Sequence, residues 1–303
     1  MRAEKARMTI GVVIPVYNDA HTVTDAIDSV LSQKPPPDKL IVVDDGSTDE
    51  TESAVKNYAG VLEYIRQPHR GSSAARNSGL DRLRTDAVMF LDADDLFLPE
   101  AIACRRVLLA RDDSIWAHTE GVLQGKSGAV QPFSRANPSA SGNLEGWIFE
   151  DLLCRNFITT DAVIVRRDAL VKIGGFDESI RGTEDWDLWL RLAGRFPVHY
   201  GSQPTFVYRV GANTLSGDRP SMDWMRYQTL VKAFRVFPAE VMRSKPAARR
   251  SVADAHNGMG YALVTNGKRQ EAQSYLWSSV RLWPWQRRAW WVLFRCLLHW
   301  RKG

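Results

Sequence analysis

The chain has 303 residues, a net charge of +5 and 25% charged residues, which bounds it to one substantial globular core with room for a smaller second one and excludes a disordered chain. Three widely spaced cysteines, Cys104, Cys154 and Cys296, exclude a disulfide framework and a cysteine-type metal site, and point to a reducing compartment. No stretch reaches the roughly 18 apolar residues of a bilayer span, and no signal-type apolar run follows the basic segment Met1–Met8, so a cytoplasmic location is expected.

Taken in order, Thr9 to Pro15 reads as a buried strand stopped by proline. Val23, Ala26, Ile27, Val30 and Leu31 recur at helical spacing, and Pro35-Pro36-Pro37 ends that helix. A second strand, Lys39 to Val43, runs into Asp44-Asp45-Gly46-Ser47-Thr48-Asp49, where Ser47 or Thr48 is expected to cap the next helix. Val61 to Ile65 reads as a third strand and Ser73 to Leu83 as a helix. The apolar run Ala87 to Leu91 then ends abruptly in Asp92-Ala93-Asp94-Asp95. Clustered carboxylates repel one another and are costly to bury without a cation or donors. An Asp-X-Asp at a strand end suits a hard divalent cation, Mg²⁺ or Mn²⁺, bridging to phosphate oxygens. The plainer alternative is a solvated loop capping the helix that begins near Pro99.

Gly121 to Gly146 is rich in Gly, Ser, Asn and Pro and reads as a long irregular excursion. Phe157 to Val165 reads as a strand, Asp168 to Ile173 as a helical turn stopped by Gly174-Gly175, and Thr183 to Leu192 as a helix with an acidic first turn. Acids there suit the helix dipole whatever else they do. Phe206 to Arg209 reads as the last strand of a domain expected to span 1–218. Alternating strands and helices imply a mostly parallel sheet flanked by helices. Ligands bind outside the carboxyl ends of such strands, where Tyr17, Asp45 and Asp92 converge. Residues 219–303 form a C-terminal helical extension, with helices expected over 251–265, 268–281 and 286–301. From Arg243 onward the only acids are Asp254 and Glu271, and six of the eleven tryptophans fall from Trp277 onward among several arginines. Such a composition suits peripheral contact with a membrane face.

The ordered set Ile14-Pro15-Val16-Tyr17-Asn18, Val43 to Asp49, Arg70 to Gly79, Phe90 to Asp95, Gly174 to Glu178 and Glu184-Asp185-Trp186 resembles family 2 glycosyltransferases of the GT-A fold over about residues 8–215. The resemblance implies an α/β Rossmann-like domain and an inverting, metal-dependent transfer of a sugar from a nucleotide sugar, a UDP-sugar by preference, to a saccharide or lipid-linked acceptor in cell-surface polysaccharide synthesis. It implies that Pro15, Val16 and Tyr17 line the base pocket, that Asp45 accepts from a base N–H, and that Arg76 opposes the nucleotide's charge. Asp92 and Ala93 would approach the ribose, and Asp94 would ligate Mn²⁺ or Mg²⁺. Asp185 would be the general base, with Glu184 and Trp186 shaping the acceptor pocket. Many relatives carry a His shortly after the Tyr-Arg pair, whereas Tyr208-Arg209 here is followed by no His, leaving Arg209, Asn213 or Ser216 as substitutes. No nucleic-acid partner is expected. The alternatives are a nucleotidyltransferase acting on sugar phosphates, which needs no separate acid at Asp185, and a non-catalytic sugar-nucleotide-binding module.

Overall fold

The computed structural model describes residues 7–111, 114–136, 144–210 and 219–298. Seven strands form the main sheet: β1 (Ile10–Val16), β2 (Lys39–Asp44), β3 (Glu63–Arg66), β4 (Ala87–Phe90), β6 (Trp116–Thr119), β9 (Val163–Arg166) and β10 (His199–Gly201). Their order is β10-β6-β9-β4-β1-β2-β3. Pairing is parallel throughout except at β9, which runs antiparallel to both β4 and β6. β1, β2 and β4 are apolar runs buried on both faces, as central strands of a covered parallel sheet must be. A smaller sheet joins β5 (Leu96–Phe97), β11 (Phe206–Arg209), β7 (Val122–Gln124) and β8 (Val130–Pro132) in that order.

Helices α1 (Val23–Leu31), α2 (Thr51–Lys56), α3 (Ser72–Arg82), α4 (Ala101–Leu109), α5 (Phe133–Ala136) and α7 (Arg167–Lys172) belong to the same compact unit as these strands. The α3 helix packs on β1 and β2, and Gly79 makes that approach possible, since a Cβ there would sit 2.4 Å from Val13 Cγ1. The second unit gathers α6 (Phe149–Cys154), α8 (Glu184–Ala193), α9 (Arg219–Val236), α10 (Pro238–Arg243), α11 (Pro246–Thr265), α12 (Arg269–Leu282) and α13 (Arg287–Leu298). Within it, α11 packs on α6, α9 and α12, and α8 packs on α6 and α9.

Several expectations change. Neither Ser47 nor Thr48 caps a helix: α2 starts only at Thr51, whose N–H donates to Asp49 Oδ1. The stretch after Gly121 is not all irregular, because Val122–Gln124 and Val130–Pro132 pair as a hairpin. The strand expected over 157–165 begins only at Val163, after a 3₁₀ turn at Thr160–Ala162, and it runs antiparallel. The third strand begins two residues later than expected, at Glu63. Within the helical extension, α9 and α10 precede the first helix that the sequence delimits.

Candidate active site

Four chain segments build the acidic end of the sheet unit. After β1 the backbone turns at Asn18, whose φ of 51° lies in the left-handed region that asparagine tolerates. Its N–H donates to Ser47 Oγ at 2.9 Å and its Oδ1 accepts from the Thr48 N–H at 2.7 Å, tying the ends of β1 and β2 together. Pro15 and Val16 are buried within β1, while Tyr17 is 45% exposed and stacks on the His69 ring at 4.1 Å.

Asp45, just beyond β2, is buried. Its carboxylate accepts from Gln67 Nε2 at 2.7 Å, from the Gly71 N–H at 2.6 Å and from the Arg70 N–H at 3.0 Å, and His69 Nδ1 lies 2.9 Å away. One carboxylate therefore gathers the whole 67–71 loop beside Tyr17. Gly46 follows with φ 85°, and a Cβ there would sit 3.0 Å from the His69 nitrogen, so a glycine suits the turn.

Arg76 projects from α3, is 5% exposed, and donates through Nη2 to Asp92 Oδ1 at 2.6 Å, with its guanidinium 5.3 Å from the Phe176 ring centre. The turn after β4 holds Asp92, buried Ala93, Asp94 and buried Asp95. The Asp92 N–H donates to Asp161 Oδ1 at 2.8 Å, and the Arg209 N–H donates to Asp95 Oδ1 at 2.7 Å. Arg209 Nε also donates to the Asp94 carbonyl. Arg209 thus binds the acidic turn, whereas Asn213 and Ser216 lie outside the described residues.

Ligand oxygens of Asp92, Asp95 and Asp161 all fall within 4.8 Å of one another. Burial first, and then the Asp92 charge, push the Asp161 carboxyl up to about 7. Burial followed by Asp161 raises Asp95 well above the usual carboxylate range, and burial followed by Asp92 pushes Asp94 up to about 6. These groups hold protons more readily than free acids because too little positive charge faces them. Some does: fully buried Arg105 donates to Thr205 Oγ1 at 2.6 Å, lies over the Phe97 ring at 4.8 Å, and is drawn electrostatically by Asp161, although burial lowers it to about 9. The Asp161 Oδ2 is buried without a hydrogen-bond donor. Converging hard oxygens with an orphaned carboxylate atom fit a divalent cation. Asp94, the ligand expected from sequence, is adjacent to this trio rather than in it.

In the helical unit, Asp185 is the second residue of α8 and is half-buried. Its Oδ2 accepts from Asn156 Nδ2 at 2.9 Å and its Oδ1 from the Trp186 N–H at 2.6 Å. Glu184 and Trp186 are buried, and Trp186 Nε1 donates to the Leu152 carbonyl at 2.8 Å. Sequence reasoning missed Asp161 and gave Asp95 no role of its own at the site. Nothing local to Thr160-Asp161 distinguishes it from a loop acid; only the position of β9 brings it under Asp92.

Residues 11–108 match the family model described as "Glycosyl transferase family 2", and residues 143–258 match "Glycosyltransferase like family 2". Among curated proteins, the chain is 27% identical over 207 residues to the uncharacterized glycosyltransferase RP339 of Rickettsia prowazekii, a match covering 67% of this chain and 64% of that protein. It is 26% identical over 216 residues to TuaG of Bacillus subtilis, described as a teichuronic acid biosynthesis glycosyltransferase, covering 69% and 82%. Residues 1–349 of S. aureus TarS share the fold at TM-score 0.60 and 18% identity, covering 91% of this chain and 81% of that one. The mannosyltransferase PcManGT from Pyrobaculum calidifontis, solved with GDP-Man and Mn²⁺, matches at TM-score 0.58 and 20% identity, covering 97% and 86%. The fold class is therefore GT-A. The chain belongs to the family 2 glycosyltransferases.

Proposed function

We propose that the protein is an inverting glycosyltransferase that moves a sugar from a UDP-sugar to a hydroxyl of a saccharide or lipid-linked acceptor, in the synthesis of a cell-surface polysaccharide. The observation that carries this reading is the cluster of carboxylates beside Arg76, at the carboxyl ends of β1, β2 and β4, next to the loop that Asp45 gathers. TuaG is named for polysaccharide synthesis, and TarS has been solved with UDP and with UDP-GlcNAc, which supports the donor class.

Pro15, Val16 and Tyr17 line the base pocket with Tyr17 packed against the base, and Asp45 accepts from the base N–H. Arg76 balances the nucleotide's negative charge, and Asp92 and Ala93 border the ribose. Asp92, Asp95 and Asp161, with Asp94 beside them, would hold Mn²⁺ or Mg²⁺, which when bound supplies Lewis-acid stabilisation of the departing diphosphate. Asp185 accepts the proton of the acceptor hydroxyl as its oxygen bonds to the anomeric carbon. The bond from that carbon to the diphosphate breaks on the opposite face, so configuration inverts. Glu184 and Trp186 shape the acceptor side. Residues 1–218 carry this chemistry, and 219–303 serve an accessory role.

The test is Asp185→Asn, assayed for UDP release against a panel of UDP-sugars and acceptors. We expect turnover to fall by at least about a hundredfold, while UDP with Mn²⁺ still raises the melting temperature by mass action. Unchanged turnover would remove Asp185 from its role, and a melting temperature insensitive to every nucleotide sugar would remove the donor class.

A further inference from the structure

The α12–α13 hairpin has an outer face that the fold itself does not explain. On its inner side, Ala289, Val292, Leu293 and Cys296 of α13 bury against Ala272, Leu276 and Val280 of α12. A surface helix with one face so committed carries polar residues on the other. Instead Trp290, Trp291, Phe294 and Leu297 point outward, 44%, 57%, 61% and 37% exposed. At 3.6 residues per turn these four occupy about one third of the helix circumference, opposite the buried stripe. Trp285, in the preceding turn, is 82% exposed and Trp277 on α12 is 50% exposed, its ring edge-on to Trp290 at 6.1 Å. The Trp290 N–H is already satisfied by the Pro284 carbonyl at 2.8 Å, so what that ring offers outward is apolar.

Charge surrounds this patch with one sign. The Arg295 guanidinium lies 4.6 Å from the Trp291 ring centre and that of Arg288 lies 5.0 Å from Tyr261. From Pro246 to Leu298 there are eight lysines and arginines and two acids. Both acids face cations, Asp254 with Arg250 at 3.9 Å and Glu271 with Lys268 at 3.7 Å. A cavity of about 230 Å³ opens beside the patch, with Arg269, Arg295, Thr265 and Trp291 in its lining. Among the described residues no helix is long and apolar enough to cross a membrane.

We propose that the outer face of α13, with Trp277 and Trp285, docks on the surface of an anionic lipid bilayer. Indole and phenyl rings enter the headgroup boundary, and the flanking arginines meet lipid phosphates. Pairing with a second copy through this face would set arginines against arginines with no acids between them, which charge complementarity opposes.

The test uses the full chain and vesicles of phosphatidylcholine alone or mixed equally with phosphatidylglycerol, read by co-sedimentation and by tryptophan emission. The protein is expected to pellet with the mixed vesicles, with a blue-shifted emission, and to bind phosphatidylcholine at least about tenfold more weakly. The combined Trp290→Ser, Trp291→Ser and Phe294→Ser variant changes exposed groups only, and is expected to lose binding by at least about tenfold. Arg281→Glu with Arg287→Glu, exposed one helical turn from Trp277 and from Trp291, is expected to abolish the preference for phosphatidylglycerol while leaving the aromatic face intact. No pelleting, equal binding of both vesicle types, or undiminished binding by the aromatic variant overturns the proposal. So does a dimer that the aromatic variant dissociates in the absence of lipid.

Discussion

Asp161 occupies a position where a carboxylate charge is costly: it is fully buried, close to Asp92 and Asp95, with one oxygen lacking a donor. Its folded pKa of about 7 exceeds the ordinary value of 3.8, so the native state binds a proton that the unfolded chain releases. That proton's contribution is present at acid pH and is lost as pH rises from about 4 through 7. Asp161→Asn keeps an acceptor for the Asp92 N–H and removes the charge. In EDTA, urea unfolding at pH 5 and pH 8 is expected to show the variant gaining on the wild type at the higher pH, by on the order of 2 kcal/mol. Adding Mn²⁺ at pH 8 is expected to raise the wild-type melting temperature more than the variant's. A margin that does not change with pH would mean that Asp161 is ionised and compensated in the native state. Asn18 makes a smaller demand: its left-handed backbone suits Asn or Gly, so Asn18→Val is expected to cost about 1–3 kcal/mol in urea unfolding, with Asn18→Gly costing less.

Among elements, the packing of α3 on β1 leaves no room at Gly79. Ala is the better helix former by about 1 kcal/mol, yet Gly79→Ala is expected to destabilise by about 1–3 kcal/mol because its Cβ meets Val13. Adding Val13→Ala removes both interfering methyls, and the double variant is expected to lose less than the sum of the single ones in chemical denaturation. The same elements show what the sequence made legible. β1, β2 and β4 are continuous apolar runs closed by proline or acids, and their ends carry Tyr17, Asp45 and Asp92, so the edge could be read directly. The β7–β8 hairpin was hidden because Gly125-Lys126-Ser127-Gly128, which supplies its turn, also marks any irregular loop. α9 was hidden because its apolar residues, from Met225 to Val236, show no clean helical stripe; several pack on other helices from more than one side. Asp161 was hidden for a different reason: its role depends on a strand that enters against the direction of its neighbours, which no local pattern encodes.

For the whole molecule, the helical unit is not a simple appendage to the chain's end, since it takes in 149–156 and 179–194. The α8 helix that carries Asp185 is held by later residues: Thr183 Oγ1 meets Thr229 Oγ1 at 2.9 Å, Lys232 pairs with buried Asp187 at 2.7 Å, and Gly194 lies against the Phe237 ring. A chain ended at residue 218 would expose the apolar side of α8 and deprive Asp187 of one of its two cations. Such a chain is expected to aggregate or to melt without a cooperative transition by circular dichroism. A soluble 1–218 chain with a sharp transition and full transferase turnover would show that α8 needs none of these partners.

The placement of β9 has a consequence for the order of events during synthesis. β4 and its acidic turn leave the ribosome about seventy residues before Asp161 does, and β9 must then insert between β4 and β6, two strands already made. Until it does, the Asp92 N–H has no carboxylate to meet and the trio of acids cannot assemble. Pairing across so long a stretch of chain is slow compared with local structure. The nascent protein therefore assembles its trio of acids only at the step in which β9 joins β4 to β6.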